Sequence, residues 1–174
     1  KVPFAPSAAD MFTTDVDGDG DADVITALQA HEYGLAWHEN LGAEGGQIRF
    51  RQHLIMGRTT ADNPYGVLFT EPHAVKLADI DQDGLPDIIT GKTYWSHHRS
   101  SPLWDAGPVV YWFQLQRKTN GDGQVQVEWV PHQADAESGV GRGLVVDDIN
   151  GDGLLDIASG GMVGASVLLH AART

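Results

Sequence analysis

At 174 residues the chain is long enough for one sizeable domain, and a hydrophobic content of 41% is ordinary for a packed core. A formal charge of −13, from 24 acidic against 11 basic side chains, leaves no basic patch of the kind phosphate contact needs and argues against nucleic acid as a partner. The absence of cysteine rules out disulfides, and no apolar run approaches the length of a membrane-spanning helix.

The first expected strand, Met11-Phe-Thr-Thr, runs into the acidic turn Asp15-Val-Asp17-Gly-Asp19-Gly20-Asp21-Ala-Asp23 and out through the β-branched run Val-Ile-Thr-Ala. A third strand is expected around Trp37 and a fourth over residues 48–55, where apolar and polar residues alternate as in a half-buried antiparallel strand. The same order then recurs. Val75-Lys-Leu-Ala enters Asp79-Ile-Asp81-Gln-Asp83-Gly84-Leu85-Pro-Asp87, Ile-Ile-Thr-Gly leaves it, and strands follow from Val109 and from Val125. A third copy enters with Leu144-Val-Val-Asp, turns through Asp148-Ile-Asn150-Gly-Asp152-Gly153-Leu154-Leu-Asp156, and leaves by Ile-Ala-Ser-Gly. It continues into Ser166-Val-Leu-Leu169 with no fourth strand behind it.

In each acidic loop, side-chain oxygens at positions 1, 3, 5 and 9 and a backbone carbonyl at position 7 are spaced to wrap one hard cation. The glycine at position 6 permits the turn that points them inward. Many flexible oxygen contacts suit calcium better than magnesium. The expected ligands are Asp15, Asp17, Asp19, Asp21 (by its carbonyl) and Asp23 in the first loop. In the second they are Asp79, Asp81, Asp83, Leu85 (carbonyl) and Asp87, and in the third Asp148, Asn150, Asp152, Leu154 (carbonyl) and Asp156. Three Ca²⁺ sites follow. An EF-hand would need glutamate at position 12 and helices on both sides, whereas these loops carry Thr26, Thr90 and Ser159 there and lie between strands. Three calcium ions would bring the formal charge from −13 to about −7 and tie each unit's first two strands together where disulfides cannot. Sites of modest affinity fill at extracellular calcium, so an extracellular or periplasmic location is expected.

The leading aspartates of the loops stand 64 and 69 residues apart, a period that suits a repeat architecture. Four antiparallel strands per unit describe a β-propeller blade. The fold class is therefore all-β, a partial β-propeller over 1–174, with blade one at about 7–56, blade two at about 71–132 and an incomplete blade three at about 140–172. Propellers close with about 4–8 blades, so the remaining blades are expected from a longer polypeptide or a second copy; two chains would make a twofold six-bladed ring. The segment Lys1-Val-Pro-Phe-Ala-Pro reads as a connection between blades, and a processed portion of a larger propeller is the favoured expectation.

The loops and their flanking strands resemble the FG-GAP or VCBS repeats of integrin-type β-propellers and of many secreted bacterial proteins, over nearly the whole chain. The resemblance implies that the calcium loops share one face of the disc and that a glycan or protein partner meets the opposite face. That face would be built from residues 56–72 and 133–142, which enter first strands, and from residues 29–34, 91–108 and 160–164, which join second to third strands. The segment 91–108 is longer than a blade needs, which favours a functional role.

Candidate ligand contacts on that face are His73, Lys92, Tyr94, Trp95, His97, Trp104 and Arg142, with His31, Glu32, Tyr33, Asn63 and Tyr65 nearby by topology. His73 and Arg142 hold equivalent positions at the start of innermost strands. Tyr94, Trp95 and Trp104 have apolar faces suited to stacking on sugar rings, or to packing the loop on its own blade. Adjacent His97 and His98 face opposite ways on an extended segment, and spacing alone offers no third metal ligand. Trp37, Trp112 and Trp129 are expected between blades, and His38, His53, His132 and His170 in structural roles. No nucleophile motif is present, and no catalytic residue is assigned. The expected function is an extracellular calcium-binding module for glycan or protein ligands; a propeller portion of a polysaccharide lyase or hydrolase, and a purely structural segment, are the alternatives.

Overall fold

Short β-branched runs broken by glycine turns leave this chain almost without helix. A computed structural model describes residues 4, 5 and 7–171. Most of the Lys1–Pro6 segment, and the end of blade three beyond residue 171, therefore lie outside the described residues. Among them the chain forms β1 (Met11–Thr14), β2 (Asp23–Ala27), β3 (Leu35–Glu44) and β4 (Gln47–Met56), then β5 (Val75–Ala78), β6 (Asp87–Lys92), β7 (Val109–Thr119) and β8 (Val125–Asp135). The last three strands are β9 (Gly143–Asp147), β10 (Asp156–Gly161) and β11 (Gly164–Leu168). A single 3-10 turn, Thr60–Asp62, lies between β4 and β5.

The strands form three antiparallel meanders, ordered β1-β2-β3-β4, β5-β6-β7-β8 and β9-β10-β11, which are propeller blades in an arc that does not close. The innermost strands β1, β5 and β9 lie side by side. Each acidic loop joins the first strand of a sheet to the second, as the sequence implies. The outer hairpins run further than expected. β3 and β4 continue past a register shift to a two-residue turn at Gly45 and Gly46, where both φ values are positive (60° and 80°) and glycine carries no steric penalty.

One cross-strand row repeats in every sheet. In the first it is Phe12–Ile25–Trp37–His53, in the second Lys76–Ile89–Trp112–His132, and in the third Val145–Ala158–Val167. The tryptophan stacks on its histidine neighbour in both complete blades, at centroid distances of 4.3 and 4.2 Å. The first row packs against the opposing face of blade two, where Val75, Ile88, Phe113, Leu115 and Trp129 are buried with Ile25 and Trp37. The second row's Ile89 and Trp112 pack against Leu144, Val146 and Ile157 of blade three. Each core is thus shared between neighbouring blades, and burial of a large aliphatic side chain there is worth about 1.5–3 kcal/mol. The tryptophans expected between blades stand there, Trp37 and Trp129 buried and Trp112 half-buried.

Candidate functional site

The three acidic loops adopt one hydrogen-bond pattern. The carboxylate at position 1 accepts the amide of the glycine at position 6, from Gly20 at 3.3 Å, Gly84 at 2.9 Å and Gly153 at 2.9 Å. The side chain at position 3 accepts the amide at position 5, and that at position 5 accepts the amide at position 7 (2.8, 2.8 and 2.9 Å in the three loops). These local bonds turn successive oxygens inward. They also explain why positions 4 and 6 have positive φ. Five of those six residues are glycine, and the sixth is Gln82 at 62°.

Carboxylate oxygens of Asp15, Asp17 and Asp19 come within 4.8 Å of one another, as do those of Asp79, Asp81 and Asp87. In the third loop Asn150 Nδ2 donates to Asp152 Oδ2 at 3.0 Å. The donor sets consist of oxygens held on adaptable turns and carry several negative charges, which fits a hard divalent cation and not a thiophilic one.

Position 9 has a second task that spacing did not reveal. Asp23, Asp87 and Asp156 are buried, and each carboxylate clamps two backbone segments. Oδ2 accepts the amide at position 2 of its own loop, from Val16 (2.9 Å), Ile80 (3.0 Å) and Ile149 (3.0 Å). Oδ1 accepts an amide from the region of the third strand, from Asn40 (2.7 Å), Leu115 (2.9 Å) and His170 (2.8 Å). Burial pushes the carboxyl of Asp87 up to about 7, with the neighbouring charges of Asp81 and Asp83 adding to it against those two amides. Burial likewise raises Asp23 and Asp17.

Three further side chains serve the acidic face and carried no signal in the sequence. Arg117 of β7 crosses to the first loop, its Nε donating to the Val16 carbonyl at 2.8 Å and its Nη2 to the Asp15 carbonyl. Gln82 Nε2 donates to the Gly153 carbonyl at 2.7 Å, linking the second loop to the third. Gln114 Nε2 donates to Asp81 Oδ2.

At the other ends of the strands, the connections before β5 and after β2 and β6 bring His73, His31 and His97 together. One ring nitrogen from each lies within 4.8 Å of the other two. Ring centroids are 5.2 Å apart for His31–His73, 4.9 Å for His73–His97 and 5.4 Å for His31–His97. The third partner for His97 that spacing did not offer is thus supplied by two other loops. Glu71 sets the approach. Held in the left-handed region at φ 58°, it donates its amide to the Glu32 carbonyl (2.8 Å) and accepts the His73 amide (2.8 Å).

The Glu71 carboxylate is fully buried and its oxygens have no hydrogen-bond partner; Oε2 stands 4.0 Å from His73 Nε2, itself buried and unpartnered. Burial, with His97, His31 and Arg142 close by, pushes the imidazole of His73 down to about 4, so it is neutral at pH 7.

His73, His97 and Arg142 line a cavity of about 420 Å³ between blades two and three, with Thr93, Met162 and the glycines 141, 143, 160, 161 and 164 completing the wall. Of the other expected contacts, Lys92 is displaced from this surface. It is 1% exposed, its Nζ donates to the carbonyls of Thr93 (3.0 Å) and Tyr94 (3.4 Å), and burial lowers its pKa while Glu71 and Asp105 oppose that shift. Its strand position hid this, because β6 is buried along its whole length.

Tyr94 and Trp95 are exposed and meet edge to face at 4.9 Å, outside the cavity wall. Trp104 is half-buried, packed under Arg99 at 5.5 Å, and its carbonyl accepts the Ser96 amide (2.9 Å) to close the loop on itself. Asn63 and Tyr65, expected near the histidines, instead line a groove of about 800 Å³ between blades one and two, with Trp129, Asp17 and Asp19. Tyr65 Oη donates there to Glu128.

Residues 15–90 match the family model described as an FG-GAP-like repeat. The chain therefore carries FG-GAP-like repeat sequence on propeller-like blades; the matched span holds the first two acidic loops, and the third repeats their geometry beyond it. No curated protein matches the chain significantly.

Proposed function

We propose that the chain is a calcium-stabilised β-propeller segment, extracellular or periplasmic, that holds an acidic glycan or a protein side chain of like chemistry on the face opposite its acidic loops. The observation that carries the reading is the threefold recurrence of one oxygen-lined turn, with identical amide-to-carboxylate bonding at position 6. Calcium at the Asp15, Asp79 and Asp148 loops would neutralise converging carboxylates and fix the first two strands of each blade. FG-GAP repeats are often extracellular, where calcium is abundant, and no described helix is long and apolar enough to cross a membrane.

The ligand end of the reading rests on the cavity beside Arg142, whose guanidinium suits a carboxylate. Binding is favoured over a lyase by the placement of Lys92, a candidate base, which is buried with its Nζ on the Thr93 and Tyr94 carbonyls and takes no part in the cavity wall.

Thermal unfolding in calcium and in chelator tests the calcium half. The wild-type chain is expected to melt markedly higher in calcium, and Asp81→Ala or Asp152→Ala to lose much of that gap. Equal melting temperatures in both conditions, for parent and variants alike, would sink it. Titration with uronate oligosaccharides tests the ligand half: binding that Arg142→Met abolishes supports it, and no binding by the parent refutes the glycan assignment.

A further inference from the structure

We propose that His31, His73 and His97 form a site for one zinc-class divalent transition metal, with an open coordination position facing the cavity that Arg142 lines. This metal differs from calcium in kind and place. Imidazole nitrogens are borderline ligands that suit zinc, cobalt, nickel and copper, and the hard cations of the acidic loops avoid them.

Three observations carry the assignment. First, three histidines from three separate connections converge with one nitrogen each inside 4.8 Å, and His98, next in sequence to His97, is not among them. A tetrahedral site with ~2.0 Å bonds has nitrogens about 3.3 Å apart, so closure asks only for small rotations of side chains on connecting loops. Second, the side chain of His73 is 10% exposed, with Nε2 buried and lacking any hydrogen-bond partner. A buried unpartnered polar atom is costly unless a partner reaches it. Third, the Glu71 carboxylate, also buried and unpartnered, stands 4.0 Å from that same nitrogen. A metal on Nδ1 of His73 would leave the proton on Nε2 facing this carboxylate, and an outer partner of that kind fixes a ligating ring and raises its basicity.

Three protein ligands leave a fourth position free, as in zinc sites that take a water or substrate. His73 and His97 line the cavity whereas His31 does not, so the open position points away from His31 into the cavity. An anion entering there meets the metal on one side and Arg142 on the other. The metal thereby supplies the ligand end with a second positive centre, and it stands whether or not calcium fills the acidic loops.

Cobalt(II) titration of the full chain in saturating calcium is the test, because four-coordinate cobalt absorbs strongly in the visible and cobalt on carboxylate loops does not. One equivalent is expected to bind with such bands. His31→Asn and His97→Asn, both on exposed positions, should weaken it by about 100-fold or more, beyond what loss of an outer partner costs. His98→Asn should leave it unchanged. Circular dichroism and the melting temperature in calcium check that each variant folds. Azide, a small anionic probe, should shift the bands; no shift would remove the open position. Absence of stoichiometric cobalt in the parent, or equal binding by His31→Asn and His97→Asn, would overturn the site.

Discussion

A single carboxylate shows how the acidic face couples to folding. Asp87 is pushed up to about 7 by burial while its two oxygens hold the amides of Ile80 and Leu115. Its ordinary value is 3.8, so between that and about 7 the folded calcium-free chain binds more protons here than the unfolded chain does. The ionised form costs stability above about 7, and that cost is relieved as the pH falls through 7 toward 4. In chelator, the melting temperature should therefore rise on mild acidification. In calcium the sign should reverse, because protons compete with the ion for the same oxygens. Asp87→Asn should flatten the rise in chelator and destabilise the chain by about 1–3 kcal/mol, since one buried amide then faces an NH₂ group. A melting temperature in chelator that falls monotonically from pH 8 to pH 5, in parent and variant alike, would contradict this account.

At the scale of the element, the loops are not independent turns. Arg117 reaches from β7 to two carbonyls of the first loop, joining blade two to the acidic-loop end of blade one. Arg117→Met keeps much of the packing of the stem and removes the donors, so it should cost about 1.5–3 kcal/mol and weaken calcium binding at the first loop more than at the others. Isothermal titration of calcium, resolved by loop through Asp81→Ala and Asp152→Ala backgrounds, checks this. Uniform weakening across the loops would point to a global effect instead. The pattern that made these elements legible is local. Alternating Asp and Gly fixes an oxygen-lined turn within nine residues, and β-branched runs fix the strands on either side. What crosses between elements left no such trace. Arg117 lies 101 residues from Val16 in sequence, and His31, His73 and His97 come from three connections. Lys92 read as a surface contact because nothing in a short strand announces that both its faces are covered. Structural roles are expected for His53 and His132 from their strand positions, but their stacking on Trp37 and Trp112 follows only from the register of two hairpins.

For the whole molecule, the repeated row shows which blade face has no neighbour among the described residues. Phe12–Ile25–Trp37 is covered by blade two and Ile89–Trp112 by blade three. Their equivalent in blade three, Val145–Ala158–Val167, faces outward, with Val145 55% and Val167 53% exposed beside exposed Leu169. Apolar rows at a propeller face exist to take the next blade, and an open strand edge adds unpaired amides to the same side. We infer that a further blade, from a longer polypeptide or from a second copy, covers this row. Alone, the chain has only another copy with which to cover it, so it should self-associate as its concentration rises. The double substitution Val145→Lys with Val167→Lys places charge in the row without touching the acidic loops or the blade two contact. It should return the chain to a monomer by sedimentation while leaving the calcium-dependent rise in melting temperature intact. Association that persists in the double variant would move the contact to another surface. A parent chain monomeric at every concentration would contradict cover of Val145 and Val167 by a second copy.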